Sequence, residues 1–533
     1  MKRTLFISLF ISLLISSFAH GAPAMKSTID SENTFVMRTS FPKPIRLHHL
    51  GDWQRFEATI IHACSVRLVR NRAEQVLPDL AQSWTVSPSG TEITFLLREN
   101  AVFADSTPIA AKDVELAIVR HIALNGQYAT SMREILVGAN SISNIHSKVS
   151  GISASKSTLT LKLKRPTPDI FSDLGMLSFS IFKESDISST EDKVNAKFAA
   201  SGPYKIQSFS ETLAMLEANE QYWDKSLLGK IPKHIKLTPE TKTKEIDALL
   251  AGEVDVAHSA SSAIDKTILA KSGIQIVPAG NIQYYITPDF KGPTLSKFPQ
   301  LVKIINVLLD REELIRVMST RGLNGMTPIT GITANIDLIE KQEKEAFAAE
   351  QKTRKTTQEK LKKITEAMTA AGIRLKFARG TQTKFSLAVS DAVADQLRSF
   401  GVPLEVEGIT SAFAYRNKRN GEFDIYMGGE MFDTIQPLRA LKFVLNTDPQ
   451  HTNLPANHPV FEITSRKPTK YEDHIKALQE FNNLNRKDGF VVPLVSDQML
   501  ILFSKKVETS RVPNDFVWHP QDVSLKGPTH DKR

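Results

Sequence analysis

Two apolar rhythms alternate along this chain, and together they restrict it to a mixed α/β fold. Residues 91–98 (TEITFLLR) set Ile93, Phe95 and Leu97 at period two. Residues 157–164 (STLTLKLK) do the same with Leu159, Leu161 and Leu163. Period two is the signature of a strand with one buried face. Between them, Ala111 to Ala123 carries Val114, Ala117, Ile118 and Ile122 on one helical stripe. Residues 300–318 repeat the helical rhythm, with Asp310 to Leu314 where one helix ends and the next begins. From Lys341 to Ala371 the chain is rich in Lys, Glu, Gln and Ala. Leu361, Ile364 and Met368 give it a narrow apolar stripe, so a solvated helix face is expected, with Gly372 as its stop. A strand is expected over Ile373–Phe377, then a helix with Val389, Val393, Leu397 and Phe400 on one face, closed by Gly401. Val402, Leu404 and Val406 then alternate inward, and Asp424 to Met427 begins another strand after the Asn420-Gly421 turn. Helix–strand alternation of this kind builds a βαβ-type sheet, with ligands expected beyond the carboxyl ends of its strands.

The 533 residues are 41% hydrophobic and 23% charged, enough apolar mass for more than one core. The N-terminus reads as a secretory leader over residues 1–21. Met1-Lys2-Arg3 is the positive n-region, Leu5 to Phe18 is the apolar h-region, and Ala19-His20-Gly21 puts small residues at a cleavage site after Gly21. Ala22-Pro23-Ala24 is a second candidate site. The leader is too short for a membrane span. The formal charge of +9 includes Lys2 and Arg3, so the exported chain carries 9 − 2 = +7. That excess is spread along the chain, which does not point to nucleic acid. The single cysteine, Cys64, lies outside the leader in an apolar segment and is expected to be a buried hydrophobe. Lipid anchoring is therefore not expected, and the exported chain is placed in the periplasm.

No HExxH, CxxC, GxSxG, Walker A or GxGxxG motif is present. His48-His49 is the one adjacent histidine pair, and neighbours on a strand point to opposite faces, so ordinary surface or hinge histidines are expected rather than a metal site. Neither catalysis nor a cofactor is expected.

A series of motifs carries a resemblance. Leu77 to Trp84 (LPDLAQSW), Phe95 to Asn100 followed by Phe103-Ala104-Asp105-Ser106-Thr107-Pro108 and Ala111-Lys112-Asp113-Val114, and Ser201-Gly202-Pro203-Tyr204-Lys205-Ile206 follow one another along the chain. Asn219 to Trp223, Ala251-Gly252-Glu253-Val254-Asp255, Leu309-Asp310-Arg311-Glu312 and Gly421-Glu422-Phe423-Asp424 continue the order. The ordered set resembles the family 5 extracellular solute-binding proteins of ABC importers, the oligopeptide-, dipeptide- and nickel-binding group. Ser106 stands where that family usually has glycine. Most of these residues also have structural readings. Gly202-Pro203 is a turn before a strand, Tyr204 and Trp223 are packing aromatics, and Asp113 and Asp310 are helix caps.

One segment is assigned to the ligand: Gly429 to Pro437 (GEMFDTIQP). In peptide-binding members a similar segment supplies an aspartate for the ligand's α-ammonium group, and Asp433 and Pro437 match its spacing. A desolvated ammonium needs such a partner. Asp433 as a helix cap is the alternative. Phe432 and Thr434 flank it, and Glu430 stands where the family commonly has tryptophan. Tyr284-Tyr285 resembles the family's strand into the far lobe, with Asp289 in place of an asparagine; its tyrosines are open between ligand contact and hinge packing. The arginine-rich stretch often found before the family's "D-R" helix is here Gln300-Leu301-Val302-Lys303.

The resemblance implies a type II periplasmic binding protein-like α/β fold with two lobes, a hinge and three domains. Domain I comprises 22–55, 199–285 and 489–533 with a polar tail, domain II 56–198, and domain III 286–488. It further implies a monomer that captures a peptide or peptide-like solute by lobe closure and presents it to the permease subunits of an ABC transporter. A nickel chelate, haem, an opine or an oligosaccharide are alternative cargoes on the same fold, and a secreted hydrolase or a signalling subunit are the rival classes.

Overall fold

The computed structural model describes residues 31–41, 47, 49–50, 55–72, 75–126, 128–167, 170–264, 272–333, 337–380, 384–409, 421–431, 438, 441, 454, 457–466, 471–513 and 518–526. The leader, His48 and the segment 432–437 lie outside them. Among the described residues, no helix is long and apolar enough to cross a membrane.

The first core lies between Val66 and Ile181, with Tyr222 added. Its four-stranded antiparallel sheet orders Ala81–Val86, Glu92–Leu97, Thr158–Lys162 and Ile152–Ala154. Ile93, Phe95, Leu97, Leu159 and Leu161 point inward, as their alternation requires. The helix Ala111–Ala123 covers that face with Val114, Ile118 and Ile122. Asp113 closes its first turn by accepting Ala110 N at 2.8 Å.

The second core surrounds the sheet Thr34–Thr39, His234–Pro239, Leu213–Ala218, Tyr204–Ser210 and the helix Arg55–Cys64. Cys64 is fully buried there, and burial pushes its thiol pKa up. A Cβ on Gly202 would lie 2.7 Å from Ala63 O, so only glycine lets this turn pack on the helix end. Tyr204 is likewise buried, its hydroxyl donating to Pro232 O at 2.9 Å. His49, expected as a surface or hinge histidine, is 2% exposed and sits beside Asp192, so it is not at the surface.

The third core packs Leu301–Leu308, Arg311–Thr320, Arg354–Ala370 and Lys384–Ser399 against a seven-stranded mixed sheet. The sheet runs Val256–Ala260, Val492–Phe503, Gln275–Pro288, Ile425–Met431, Leu375–Gly380 and Leu404–Ile409, with Thr327–Pro328 added to the second. Only its Leu375 side is parallel, a βαβ unit closed by Lys384–Ser399. Asp310 caps Arg311–Thr320 through Glu313 N at 2.9 Å. The expected strand at 373–377 lies two residues later, and Val402 is buried just ahead of its strand. The stretch from Lys341 to Ala371 is two helices, Asp337–Gln351 and Arg354–Ala370, broken at Lys352-Thr353, where the apolar stripe is too thin to hold one long helix in register.

Candidate functional site

Two long antiparallel strands join these cores. Gln275–Pro288 places Val277 and Ala279 in the second core and Ile286 in the third. Val492–Phe503 returns with Val492, Leu494 and Val495 in the third core and Ile501 and Phe503 in the second. Their pairing is interrupted between Pro278 and Asn281, and again between Tyr284 and Tyr285. Gly280, inside the first interruption, has φ of +89°. A bulge built on a left-handed glycine bends a strand at a defined point. Because Pro278 offers no N–H, it is tolerated at such an irregularity.

Ile425–Met431 pairs with the first crossing strand just past this bend, with Tyr284 opposite Gly429, Tyr285 opposite Gly428, and Gln283 opposite Glu430. The expected ligand segment thus begins inside the sheet: Gly429, Glu430 and Met431 are residues of the strand Ile425–Met431. Asp433, Phe432 and Thr434 lie outside the described residues.

The two tyrosines part company across the strand. Tyr285 is fully buried, in a core with Ile332, Leu438 and Leu441. Tyr284 is half-buried, its ring 4.3 Å from Phe385. Burial raises its hydroxyl pKa above the ordinary tyrosine value, and the charge of Asp497 adds to the rise, so it stays protonated. Both tyrosines demand glycine opposite. A Cβ on Gly429 would meet Tyr284 Cδ1 and Cε1 at 2.8 Å, and one on Gly428 would meet Tyr285 Cε2 at 2.8 Å. The Gly428-Gly429 pair is therefore a steric requirement of the tyrosine pair.

Beside Tyr285, Gln283 is fully buried and tied to Thr333, donating to Oγ1 at 2.6 Å and accepting from N at 3.1 Å. Asp497, opposite Ile282, is fully buried and accepts from Ser262 N at 3.2 Å and from the Ser262 hydroxyl. Neither Gln283 nor Asp497 was singled out from sequence; isolated polar residues in apolar strands carry no local signal of their pairing.

Carboxylates of the motif series hold backbone instead. Asp424 accepts from Thr294 N, Leu295 N and Lys376 N at 2.7–2.8 Å. Asp255 accepts from Val36 N at 2.8 Å and Ser504 Oγ at 2.9 Å, with Lys506 at 2.8 Å. Buried Arg311 donates to Pro493 O at 2.8 Å and to Asn306 Oδ1 at 2.6 Å, fixing its helix to the second crossing strand. Among the described residues, no cluster of His, Cys, Asp or Glu has the arrangement to hold a metal.

Cores joined by a bent pair of strands, with a strand end opening beside the bend, define a two-lobed, hinged α/β binding fold of the periplasmic type. The sequence profile described as bacterial extracellular solute-binding proteins, family 5, middle, matches residues 75–451, and the chain belongs to that family. It is 20% identical over 480 residues to "Probable D,D-dipeptide-binding periplasmic protein DdpA" of Escherichia coli, covering 87% of this chain and 86% of that one. It is 23% identical over 293 residues to "Dipeptide-binding protein DppE" of Bacillus subtilis, a match spanning 53% of this chain and about half (51%) of the relative. The crystal structure of Haemophilus influenzae OppA in complex with RPPGFSPFR superposes with a TM-score of 0.65 at 18% identity, covering 93% of this chain and 99% of that one. Members of this family are substrate-binding proteins.

Proposed function

We propose that this protein is the periplasmic substrate-binding component of an ABC importer, and that it captures peptides or peptide-like solutes by lobe closure without covalent chemistry. One observation carries the reading: Gly429 to Met431, the described part of the expected ligand segment, runs alongside the crossing strand over Ile282 to Tyr284, next to the irregularity at Pro278–Asn281. Asp433 pairs with the ligand's α-ammonium, Phe432 and Thr434 flank it in sequence, and Tyr284 lines the approach from one face of the sheet while Glu430 lies on the other, beside Gln283. Tyr285, buried in its core, supports the wall from behind. The peptide-binding names of the relatives support the ligand class. The leader at 1–21 delivers the chain to the periplasm, where it acts as a monomer and hands its cargo to the permease subunits. The three-domain division that the resemblance implies, with 56–198 and 286–488 flanking the discontinuous first domain, is supported by separate cores, but Phe56 to Cys64 and Phe182 to Phe198 pack in the second core rather than the first.

Calorimetry with short peptides and their N-acetylated forms tests this. Free peptides bind, acetylation abolishes the ion pair, and Asp433→Asn costs roughly 3–5 kcal/mol of affinity, as breaking a buried pair does. Equal binding of free and acetylated peptides would remove the peptide assignment. Glu430 favours a second reading: a half-buried carboxylate facing Gln283 suits a cationic or metal-chelate cargo on the same fold. Native mass spectrometry of freshly purified protein separates the two by the mass of what co-purifies.

A further inference from the structure

A cavity of about 110 Å³ lies where the first core meets the C-terminal segment. Two arginines, Arg70 and Arg511, and three aspartates, Asp79, Asp224 and Asp522, line it together with Trp223 and Gln521. The walls are held firmly. Arg98 stacks on the Trp223 ring at 4.0 Å, and Tyr222 flanks it at 4.9 Å. Asp224 accepts from Leu227 N at 3.1 Å, Asp79 from Arg67 N at 3.1 Å, and Asp522 from His519 N at 2.8 Å. Arg511 donates to Val523 O at 3.3 Å.

On these walls Arg70 Nε, Trp223 Nε1 and Gln521 Oε1 are buried with no hydrogen-bond partner among the described residues. Gln521 is itself 4% exposed. Leaving such groups unsatisfied is costly, and a native structure tolerates few of them without a reason. Two are donors and one is an acceptor. Arg67, 2% exposed, sits behind the cavity within the electrostatic reach of Asp79, Asp522 and Arg70. Counting it and Arg98, the surroundings hold four guanidinium and three carboxylate groups. A bare anion placed among them meets the carboxylates, and a bare cation meets the guanidinium groups. A molecule carrying both signs close together meets neither penalty. The size agrees: a cavity of about 150 Å³ admits benzene, so this one admits a molecule of a few heavy atoms.

We propose that this cavity is a second ligand site that takes a compact zwitterion, a small free α-amino acid, independent of the peptide cleft. The ligand's carboxylate faces Arg70 and the Trp223 N–H, and its ammonium faces Gln521 and the aspartates. Occupancy ties the first core to the C-terminal segment and so stiffens the junction between them.

The test is titration of the full exported protein with glycine, followed by calorimetry and by ligand-observed NMR, with acetate and methylammonium as single-charge probes. Glycine binds, and each single-charge probe binds about tenfold or more weakly, since each forfeits one set of charge-assisted bonds. Arg70→Ala and Trp223→Phe each weaken glycine by roughly tenfold with unchanged circular dichroism, and either variant alone suffices if the other misfolds. Asp433→Asn leaves glycine binding intact, which separates this site from the cleft. Acetate binding as tightly as glycine overturns the proposal, as does glycine binding that survives both cavity variants or is lost in Asp433→Asn. No glycine saturation at all means that the cavity holds water alone, and the proposal falls.

Discussion

Ser262 donates both its backbone N–H, at 3.2 Å, and its hydroxyl to the carboxylate of Asp497, 235 positions further along the chain. Asp497 lies on the second crossing strand and Ser262 in the short turn after Val256–Ala260. Ser262 O in turn accepts from Asn324 N at 3.1 Å, in the loop after Arg311–Thr320. One serine thus ties the second crossing strand to the turn after Val256–Ala260 and to the loop before Thr327–Pro328, two strands that pair with it along the same edge. Ser262→Ala removes a hydrogen bond to a charged acceptor inside the protein and is expected to cost about 1.5–3 kcal/mol. Urea unfolding measures it. A change within about 0.5 kcal/mol, the scatter of surface substitutions, would show that this contact does not hold the turn.

The fit of Gly429 against the Tyr284 ring makes a second prediction. Gly429→Ala forces a Cβ to within 2.8 Å of two ring carbons and is expected to destabilise by about 1–3 kcal/mol. Tyr284→Ala opens the space. In the double variant the penalty for the added methyl should largely vanish, giving a coupling energy well above the additive error of about 0.5 kcal/mol. Strictly additive effects would mean that the ring is not what excludes the methyl group.

Periodicity made the regular elements legible. Glu92–Leu97, Thr158–Lys162 and Ala111–Ala123 stand where their apolar spacing puts them, because each has one face in a core and one in solvent. The strand Gln275–Pro288 was not legible beyond Tyr284-Tyr285. Pro278 and Gly280 inside it read as breakers, and only tertiary pairing on both sides carries the strand through them. The candidate site was half legible. The tyrosines stand out as a doublet, while Gly428, Gln283, Ser262 and Asp497 acquire meaning only from partners far away in sequence. The helix break at Lys352-Thr353 was hidden because both halves share one charged composition.

Acid should weaken the fold through buried histidines. His62 and His258 are shifted below the ordinary histidine value mainly by burial, His62 further by His519 and Arg67. His121 is pushed down to about 3, again mainly by burial. A depressed folded pKa means that the unfolded chain binds the proton more readily. Stability is then full above pH 6.5 and is lost as pH falls towards the folded value. For His121 the loss by pH 5 is about 2 kcal/mol, from 1.5 pH units below the unfolded pKa. His121 Nε2 accepts from Tyr128 N at 3.0 Å, and its ring lies 4.4 Å from Phe179. His121→Phe keeps the ring packing and gives up the acceptor. It should lower stability at pH 8 yet flatten the fall between pH 7 and pH 5 in thermal melts. An unchanged slope would exclude His121 from the acid response.

Gly280 offers the sharpest test of the bend. Its φ of +89° is one that L side chains rarely adopt, yet nothing lies within 4 Å of a Cβ built there. Any penalty for substitution is therefore conformational rather than steric against neighbours, about 1–2 kcal/mol for an ordinary residue. Asparagine tolerates positive φ better than alanine does, so Gly280→Ala should cost more than Gly280→Asn. If the lobes close by turning about this residue, the two substitutions also differ in binding. Each changes the balance of open and closed forms by its own conformational preference, without touching the ligand. Calorimetry and small-angle scattering on both variants then show affinity and compaction moving together, with alanine the larger shift. Variants that lose stability in the order Ala over Asn but bind and compact like the parent protein would place the hinge elsewhere along the two crossing strands.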